Sequence, residues 1–202
     1  MAGIIILAAG TGSRFSAAGG KGNKLDAVVE NAADRTLSVF SMTLQQALAS
    51  GLLVHVVTRP ENTQVQQICT AAGVPITLIN SAGTGESIAA GVRATAHWEG
   101  WLIHLADMPF VPSRVILSVA AGLQSSEIVR PFWRETPGHP VGFGPALREE
   151  LQQLTGDQGA RQLLRDRPVL RIAADSPSVI ADIDLPAQLC LAASDRNSHA
   201  AS

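Results

Sequence analysis

The chain has 202 residues, 46% of them hydrophobic and 16% charged, with 15 basic and 17 acidic side chains and a formal net charge of -2. About 70% of the surface of a chain this size can be buried, which suits one well-cored domain and is the opposite of a disordered composition. The near balance of charge argues against a protein that holds nucleic acid by electrostatics, and the longest apolar runs, 4–9 and 52–57, fall far short of the ~20 residues that span a bilayer. No basic start or small-residue cleavage site precedes the first strand pattern, so no export signal is visible and a cytoplasmic location is expected. Cys69 and Cys190 stand alone, which excludes a disulfide framework or a structural zinc site and leaves two buried free thiols.

Strand-like apolar runs alternate with helical patterns from the first residue, the rhythm of a mostly parallel sheet covered by helices on both faces. The expected fold class is α/β, a three-layer α/β/α sandwich with a Rossmann-like sheet. In chain order the pattern predicts a strand at 4–8, a helix at 37–49 ended by Ser50-Gly51, a strand at 52–58, a helix after Pro60 closed by Gly73, a strand at 76–79 and a helix at 87–98. A strand at 101–106 stops at Asp107-Met108-Pro109, because proline ends strand pairing, and a helix follows from Ser113. The later third reads as a strand at 128–129, a loop at 137–140, an extended piece at 141–143, helices at 146–154 and 160–165, and closing strands at 169–173 and 179–183. Pro186 suits the first turn of a last helix. One domain is expected over 1–193, with a frayed small polar tail over 194–202.

The strongest chemical signal is Leu7-Ala8-Ala9-Gly10-Thr11-Gly12-Ser13-Arg14-Phe15, directly after the first strand. In a doubly wound sheet ligands bind outside the carboxyl ends of the strands, where glycines let backbone amides approach a phosphate. The loop is not a dinucleotide fingerprint, since Phe15 stands where the third glycine belongs and Thr58-Arg59 where an acidic residue should end the second strand. Nor is it a Walker A loop, because Lys21 is followed by Gly22 and Lys24 by Leu25. What remains is a glycine loop with Arg14 inside it and Lys24 shortly after it, two cations for phosphates that gain charge during transfer. The competing reading is an ordinary turn followed by two solvated cations.

Asp107 ends a buried strand and points to the same crevice, where a hard carboxylate suits Mg²⁺ bound together with substrate phosphates; alternatively it only caps the turn before Pro109. Asp182 and Asp184 lie two apart, on one side of a strand, and would repel unless a cation sat between them. Either both are solvated edge residues or one completes the metal site. The turn Gly83-Thr84-Gly85-Glu86-Ser87 could receive a base or phosphate at a helix N-terminus, or could be an ordinary cap through Thr84 or Ser87. Ser87, Asp107 and His139 also follow the chain order of a hydrolase triad, although the strand pattern ends near Asn80, several residues before an elbow serine would stand. His104 and His55 read as core histidines, whereas His139, held in Pro137-Gly138-His139-Pro140, is rigid and available to a substrate.

Together the 7–15 loop, Asn23-Lys24-Leu25 and Leu105-Ala106-Asp107-Met108-Pro109 resemble the nucleotidyltransferases with a MobA-like fold. Gly83 to Arg93 (GTGESIAAGVR), Pro137 to Phe143 (PGHPVGF), Thr155 to Leu164 (TGDQGARQLL) and Asp182 to Pro186 (DIDLP) are most similar to the molybdenum cofactor cytidylyltransferases. The resemblance implies a sheet of the nucleotidyltransferase type and a nucleotide site at Leu7, Ala8, Ala9, Gly10, Gly12, Arg14, Lys24, Thr84, Gly85 and Ser87. Arg14 and Lys24 would lie on the triphosphate and Asp107 on Mg²⁺, with Asp182 or Asp184 beside it and His139 on the acceptor side. It implies transfer of CMP from CTP to the terminal phosphate of the molybdenum-bearing pterin, with pyrophosphate released and transient contact with a molybdoenzyme or its maturation factor. The Ala8-Ala9-Gly10 form looks like the cytidylyl branch; the GTP-using guanylyl branch, the serine hydrolase and a nucleotide-binding chaperone without turnover are the alternatives. The segment 27–36 (AVVENAADRT) and the GGKG run at 19–22 depart from the usual pattern.

Overall fold

The first strand, β1 (Gly3–Ala8), is apolar throughout because helices cover both of its sides: Ile4 and Ile6 face one layer and Ile5 the other, all fully buried. Burial of each such side chain contributes roughly 1.5–3 kcal/mol. The computed structural model of the chain describes residues 1–10, 15, 17–19, 22–30, 36–80, 83–185 and 188–189, the side chains of 30 and 36 excepted. The Ile4 side packs against α1 (Val39–Ala49), α2 (Thr63–Ala71) and α4 (Ser113–Gly122), through residues such as Phe40, Val65 and Ile116. The Ile5 side packs against α3 (Thr84–Ala94), α5 (Arg148–Gln152) and α6 (Arg161–Asp166), through Ile88, Leu151 and Leu163. This is the expected three-layer α/β sandwich.

The strands β4 (Leu53–Thr58), β5 (Ile76–Leu78), β6 (Trp101–Leu105), β7 (Ile128–Trp133), β9 (Val141–Phe143) and β10 (Leu170–Ala173) complete the main sheet in the order β10-β7-β9-β6-β1-β4-β5, with the short β8 (Thr136–Pro137) paired to β7. β1 runs parallel to β4 and β6, β4 to β5, and β10 to β7. Only β9 and β8 are reversed among these strands, β9 lying antiparallel to both neighbours with Ile103 opposite Val141 and Ile128 opposite Phe143. The carboxyl ends of β1 and β6 and the amino end of β9 therefore share one edge of the sheet, the edge at which ligands of such sheets bind.

Three expectations are corrected. The segment 37–49 does not begin as a helix: β2 (Val28–Glu30) and β3 (Thr36–Ser38) form a separate antiparallel hairpin, and α1 starts only where the Ser38 hydroxyl accepts from the Ser41 amide. α3 starts at Thr84, three residues before the expected Ser87. The closing strand expected at 179–183 is instead a 3-10 turn, Pro177–Ile180, followed by irregular backbone. There the chain leaves the sheet so that the Ile183 amide can donate to the Asp107 carbonyl at 2.9 Å. The tail 194–202, Cys190 and the helix start at Pro186 lie outside the described residues, and Cys69 is a buried free thiol. Among the described residues no helix is long and apolar enough to cross a membrane.

Candidate active site

The carboxyl end of β1 is fixed from below. The Ala8 carbonyl accepts from the Asn62 side-chain amide at 2.8 Å and from the Thr58 hydroxyl at 3.2 Å, and Asn62 Oδ1 in turn accepts from Asn23 Nδ2 at 2.9 Å. Asn23 Oδ1 accepts from the Leu25 amide at 3.1 Å and so caps the short 3-10 turn at Lys24–Asp26. This chain of amides holds Lys24 over the end of the sheet. At the end of the neighbouring β6 the Ala106 carbonyl accepts from the Thr43 hydroxyl of α1 at 2.9 Å, and the Ala106 amide donates to the Leu7 carbonyl at 3.1 Å, which places Asp107 just past β6.

Lys24 and the acidic residues meet there. Lys24 Nζ donates to Asp107 Oδ2 at 2.5 Å and to Asp184 Oδ1 at 3.2 Å, and these side chains are only 13–25% exposed. Ligand oxygens of Asp107, Asp182 and Asp184 all lie within 4.8 Å of one another. Burial works against the Lys24 charge, but Asp107 first and Asp184 second, by charge and hydrogen bonding, hold the ammonium above its ordinary lysine value. Burial, then the charges of Asp184 and Asp107, push Asp182 above the usual carboxyl range. Lys24 contributes one positive charge against three carboxylates, and Asp107 Oδ1 is buried with no hydrogen-bond partner among the described residues. A compact all-oxygen donor set with an orphaned oxygen fits a hard divalent ion such as Mg²⁺ or Mn²⁺.

Two cavities open beside this cluster. The first, about 140 Å³, brings together Leu7, Ala8, Ala9, Gly10, Lys24, Thr84, Ser87 and Asp107, eight residues singled out in the sequence. The second, about 290 Å³, shares Leu7, Thr84 and Leu105 with it and continues over β6 and β9 to His139, Arg130 and the segment 157–161. Gly85 lines neither of these: it packs against the backbone of Thr155, where a Cβ would lie 2.6 Å from the carbonyl. Gly12 and Arg14 lie outside the described residues.

His139 is locked in place. Its amide donates to the Val179 carbonyl at 2.8 Å, Gly138 donates to Pro131 at 2.8 Å, and the His139-Pro140 bond is cis. Gly138 has no room for a side chain, since a Cβ would lie 2.4 Å from the Val179 carbonyl oxygen. Burial, reinforced by the Arg130 charge and opposed by the bond to the Ile103 carbonyl, lowers His139 to about 4, so the imidazole is neutral. Arg130, on β7, donates Nε to the Gly138 carbonyl at 2.8 Å, and burial lowers its pKa. A half-buried guanidinium beside a neutral imidazole can bind an anion or a polar heterocycle.

Two readings change. Ser87 is 3% exposed, lies within α3 and donates its hydroxyl to the Gly83 carbonyl at 2.9 Å. It sits within the first turns of α3, well beyond the end of β5 at Leu78, so the strand-to-helix elbow of a serine hydrolase does not form. The alternative reading of this turn, a cap through Thr84 or Ser87, is not formed among the described residues, Gly83 being the N-cap without a side-chain bond. His104 is fully buried, but neither ring nitrogen has a partner among the described residues, in contrast to His55, which bonds the Thr77 hydroxyl. Sequence reasoning gave Asn62 and Arg130 no place and quoted Asn23 and Glu86 only inside motifs, without a role; Asn23, next to Lys24, was the readable one.

Comparison with known proteins bears on this arrangement. No curated protein sequence matches the chain. Among solved structures, the Rv0371c protein of Mycobacterium tuberculosis H37Rv is 21% identical, with a TM-score of 0.77 over 93% of this chain and 95% of that one. A structure of the same protein in complex with manganese matches at 18% identity and a TM-score of 0.67, over 87% and 88% of the two chains. A nucleotidyl transferase from Methanothermobacter is 19% identical (TM-score 0.77; 93% and 94% covered). The molybdopterin-guanine dinucleotide biosynthesis protein A of Archaeoglobus fulgidus is 16% identical (TM-score 0.66; 98% and 99% covered). These likenesses establish the fold. Activity class follows from the sequence itself, because the model of the MobA-like NTP transferase domain matches residues 4–175, most of the chain and every strand of the main sheet, and the chain is a nucleotidyltransferase of that family.

Proposed function

We propose that the chain, as a single domain over 1–193, transfers CMP from CTP to the terminal phosphate of a molybdenum-bearing pterin, forming the cytosine dinucleotide of the cofactor. A phosphate oxygen of the acceptor attacks the α-phosphorus, the bond from that phosphorus to the bridging oxygen breaks, and pyrophosphate leaves with the electron pair. The observation that carries this reading is the Lys24–Asp107–Asp184 cluster at the first cavity, which shares Leu7, Thr84 and Leu105 with the second. One cavity is lined by Gly10 and Lys24 for a triphosphate; the other has Arg130 and a neutral His139 for an acceptor.

In this reading Gly10, with Gly12 and Arg14 of the same loop, and Lys24 bind the triphosphate. Leu7, Ala8, Ala9, Thr84 and Ser87 shape the nucleotide pocket, Gly85 lies behind it against Thr155, and His139 faces the acceptor. No covalent nucleophile is needed, since the residues orient two substrates and offset charge on the leaving group. Asp107, with Asp182 or Asp184, would hold Mg²⁺, which when bound neutralises the phosphates and the charge developing on pyrophosphate. The manganese complex of the tuberculosis protein supports a divalent ion in this fold. A cytoplasmic location and transient hand-over to a molybdoenzyme or its maturation factor belong to the same proposal.

The test is titration calorimetry of CTP and GTP, separately, with and without Mg²⁺, followed by pyrophosphate release with the pterin acceptor. Preferential Mg²⁺-assisted binding of CTP supports the proposal. Preference for GTP overturns the base assignment in favour of the guanylyl branch, and binding of neither nucleotide overturns the function.

A further inference from the structure

The segment 153–161 belongs to no strand, yet it supplies a whole wall of the larger cavity through Asp157, Gln158, Gly159 and Arg161. The first turn of α3 holds it in both directions. The Gly85 amide donates to the Gly156 carbonyl at 2.8 Å, and the Gly156 amide donates to Glu86 Oε1 at 2.9 Å. Contact between the two backbones leaves no space for a side chain at Gly85, whose Cβ would meet the Thr155 backbone at 2.6 Å. Thr84 completes the seam: a Cβ on Gly159 would lie 2.9 Å from Thr84 Cγ2. Three consecutive residues of the turn are thus used to dock this segment.

Glu86 is the member of the seam that a side chain supplies. It stands at the third position of α3, where a carboxylate also interacts well with the unpaired amides of the helix start. The Gly156 amide, and then its own, hold Glu86 below the usual glutamate range, so the carboxylate is ionised and a strong acceptor at neutral pH. Its second oxygen, Oε2, is buried and has no hydrogen-bond partner among the described residues. The carboxylate is thus shared between its own amide and that of Gly156, and only the second of these ties the helix start to the 153–161 segment.

We propose that Glu86 is a positioning residue for the acceptor: by holding Gly156 it sets the wall formed by 157–161, and so governs how tightly the acceptor is seated, without touching either substrate. The proposal rests on the reading of the larger cavity as the acceptor side. It also explains the Gly-Thr-Gly-Glu sequence of the turn as a docking surface for the Thr-Gly-Asp-Gln-Gly-Ala segment, two stretches about 70 residues apart in the chain.

Two variants of the full chain test it, Glu86→Ala, which removes the acceptor oxygen, and Glu86→Gln, which retains one. Amide hydrogen exchange read by mass spectrometry needs no substrate. Loss of one charge-assisted hydrogen bond should speed exchange over 153–161 by about tenfold in the Ala variant, leave peptides from 88–94 unchanged, and be largely restored in the Gln variant. With Mg²⁺, CTP and a pterin monophosphate, KM for the acceptor should rise about tenfold in the Ala variant, with kcat and CTP affinity within about threefold, and Gln should rescue. Unchanged exchange over 153–161, acceleration spread through α3, or an unchanged acceptor KM would each overturn the proposal. Absence of nucleotide binding in the wild-type chain overturns the proposed function alone, and the exchange pattern still decides the role of Glu86.

Discussion

Replacing Lys24 by Met removes the ammonium and keeps most of the stem. In the wild-type chain that ammonium lies 2.5 Å from Asp107 and 3.2 Å from Asp184, with a side chain only 13% exposed. Breaking a largely buried pair from one side costs about 3–5 kcal/mol; Asp182, already raised by burial and by its acidic neighbours, recovers part of this by taking up a proton. A loss near 3 kcal/mol is expected, which for a domain of this length lowers Tm by roughly 6–12 °C. The same substitution should have the opposite effect on metal binding. At about 4 Å and an effective dielectric constant near 20, a divalent ion and an ammonium repel by roughly 8 kcal/mol, so in the wild-type chain the ion must displace Lys24 from the carboxylates. Without nucleotide, Lys24→Met should therefore bind Mn²⁺ at least about tenfold more tightly, a difference of about 1.4 kcal/mol, and saturating Mn²⁺ should raise its Tm more than that of the wild type. Free Mn²⁺ measured by electron paramagnetic resonance during titration, beside thermal unfolding with and without the ion, reads both effects. Equal Mn²⁺ affinity in the two proteins would refute the reasoning, because it would mean that Lys24 and the ion do not compete for the same carboxylates.

Other consequences are as open to measurement. His104 and His139 are held neutral, at about 3 and about 4, by burial first of all. The unfolded chain, with histidines near 6.5, binds more protons than the folded one below that pH, so stability falls as pH drops from about 6.5 to 4, by up to ~1.4 kcal/mol per unit for each histidine. His104→Leu should halve that part of the slope in urea unfolding at a series of pH values and, with no ring partner among the described residues to lose, change stability at pH 8 by less than about 1 kcal/mol; an unaltered slope would contradict it. Gly138→Ala sets a Cβ against the Val179 carbonyl, and should destabilise by about 2–3 kcal/mol in denaturant melts, since backbone on both sides must shift. Arg130→Leu strands the Gly138 carbonyl; acceptor KM should rise at least about tenfold while CTP affinity measured by calorimetry holds, in keeping with loss of one charged donor.

Much of the fold could be read from the chain because its signals are local. Continuous apolar runs such as 4–8 and 101–105 become strands buried on both faces, and apolar spacing with a glycine stop marks α1 and α2. The reading failed where tertiary contacts override a local pattern. Leu37 and Ser38 fit a helix by spacing, but pairing with Val28 and Val29 claims them for a hairpin. Val179 to Ile183 looks like a strand because the apolar residues alternate, yet Val179 and Ile183 are buried in the cluster on the Ile4 side of the sheet, Val179 against Gly138, and not in a ladder. At the site, residue types with fixed chemistry were visible: Lys24, Asp107 and the Asp182–Asp184 pair are distant in sequence and meet within hydrogen-bond or metal-ligand range. Glu86 and Arg130 carried no signal of their own, since their roles are set by backbone groups of Gly156 and Gly138, which no side-chain pattern announces.

The reversed strand β9 has a consequence for how such a site can change. In a wholly parallel sheet every residue facing the crevice is carried on a loop that follows a strand, and each such loop must also launch the helix that returns the chain. His139 is carried on the loop that enters β9. That loop comes from the β7–β8 hairpin instead of a crossover helix, so it does not also have to launch a helix. In the proposed reading the two substrates therefore meet separately built parts of one edge, and substitutions in the 134–140 loop at positions other than the tightly packed Gly138 would retune the second cavity while the end of β1 keeps its geometry.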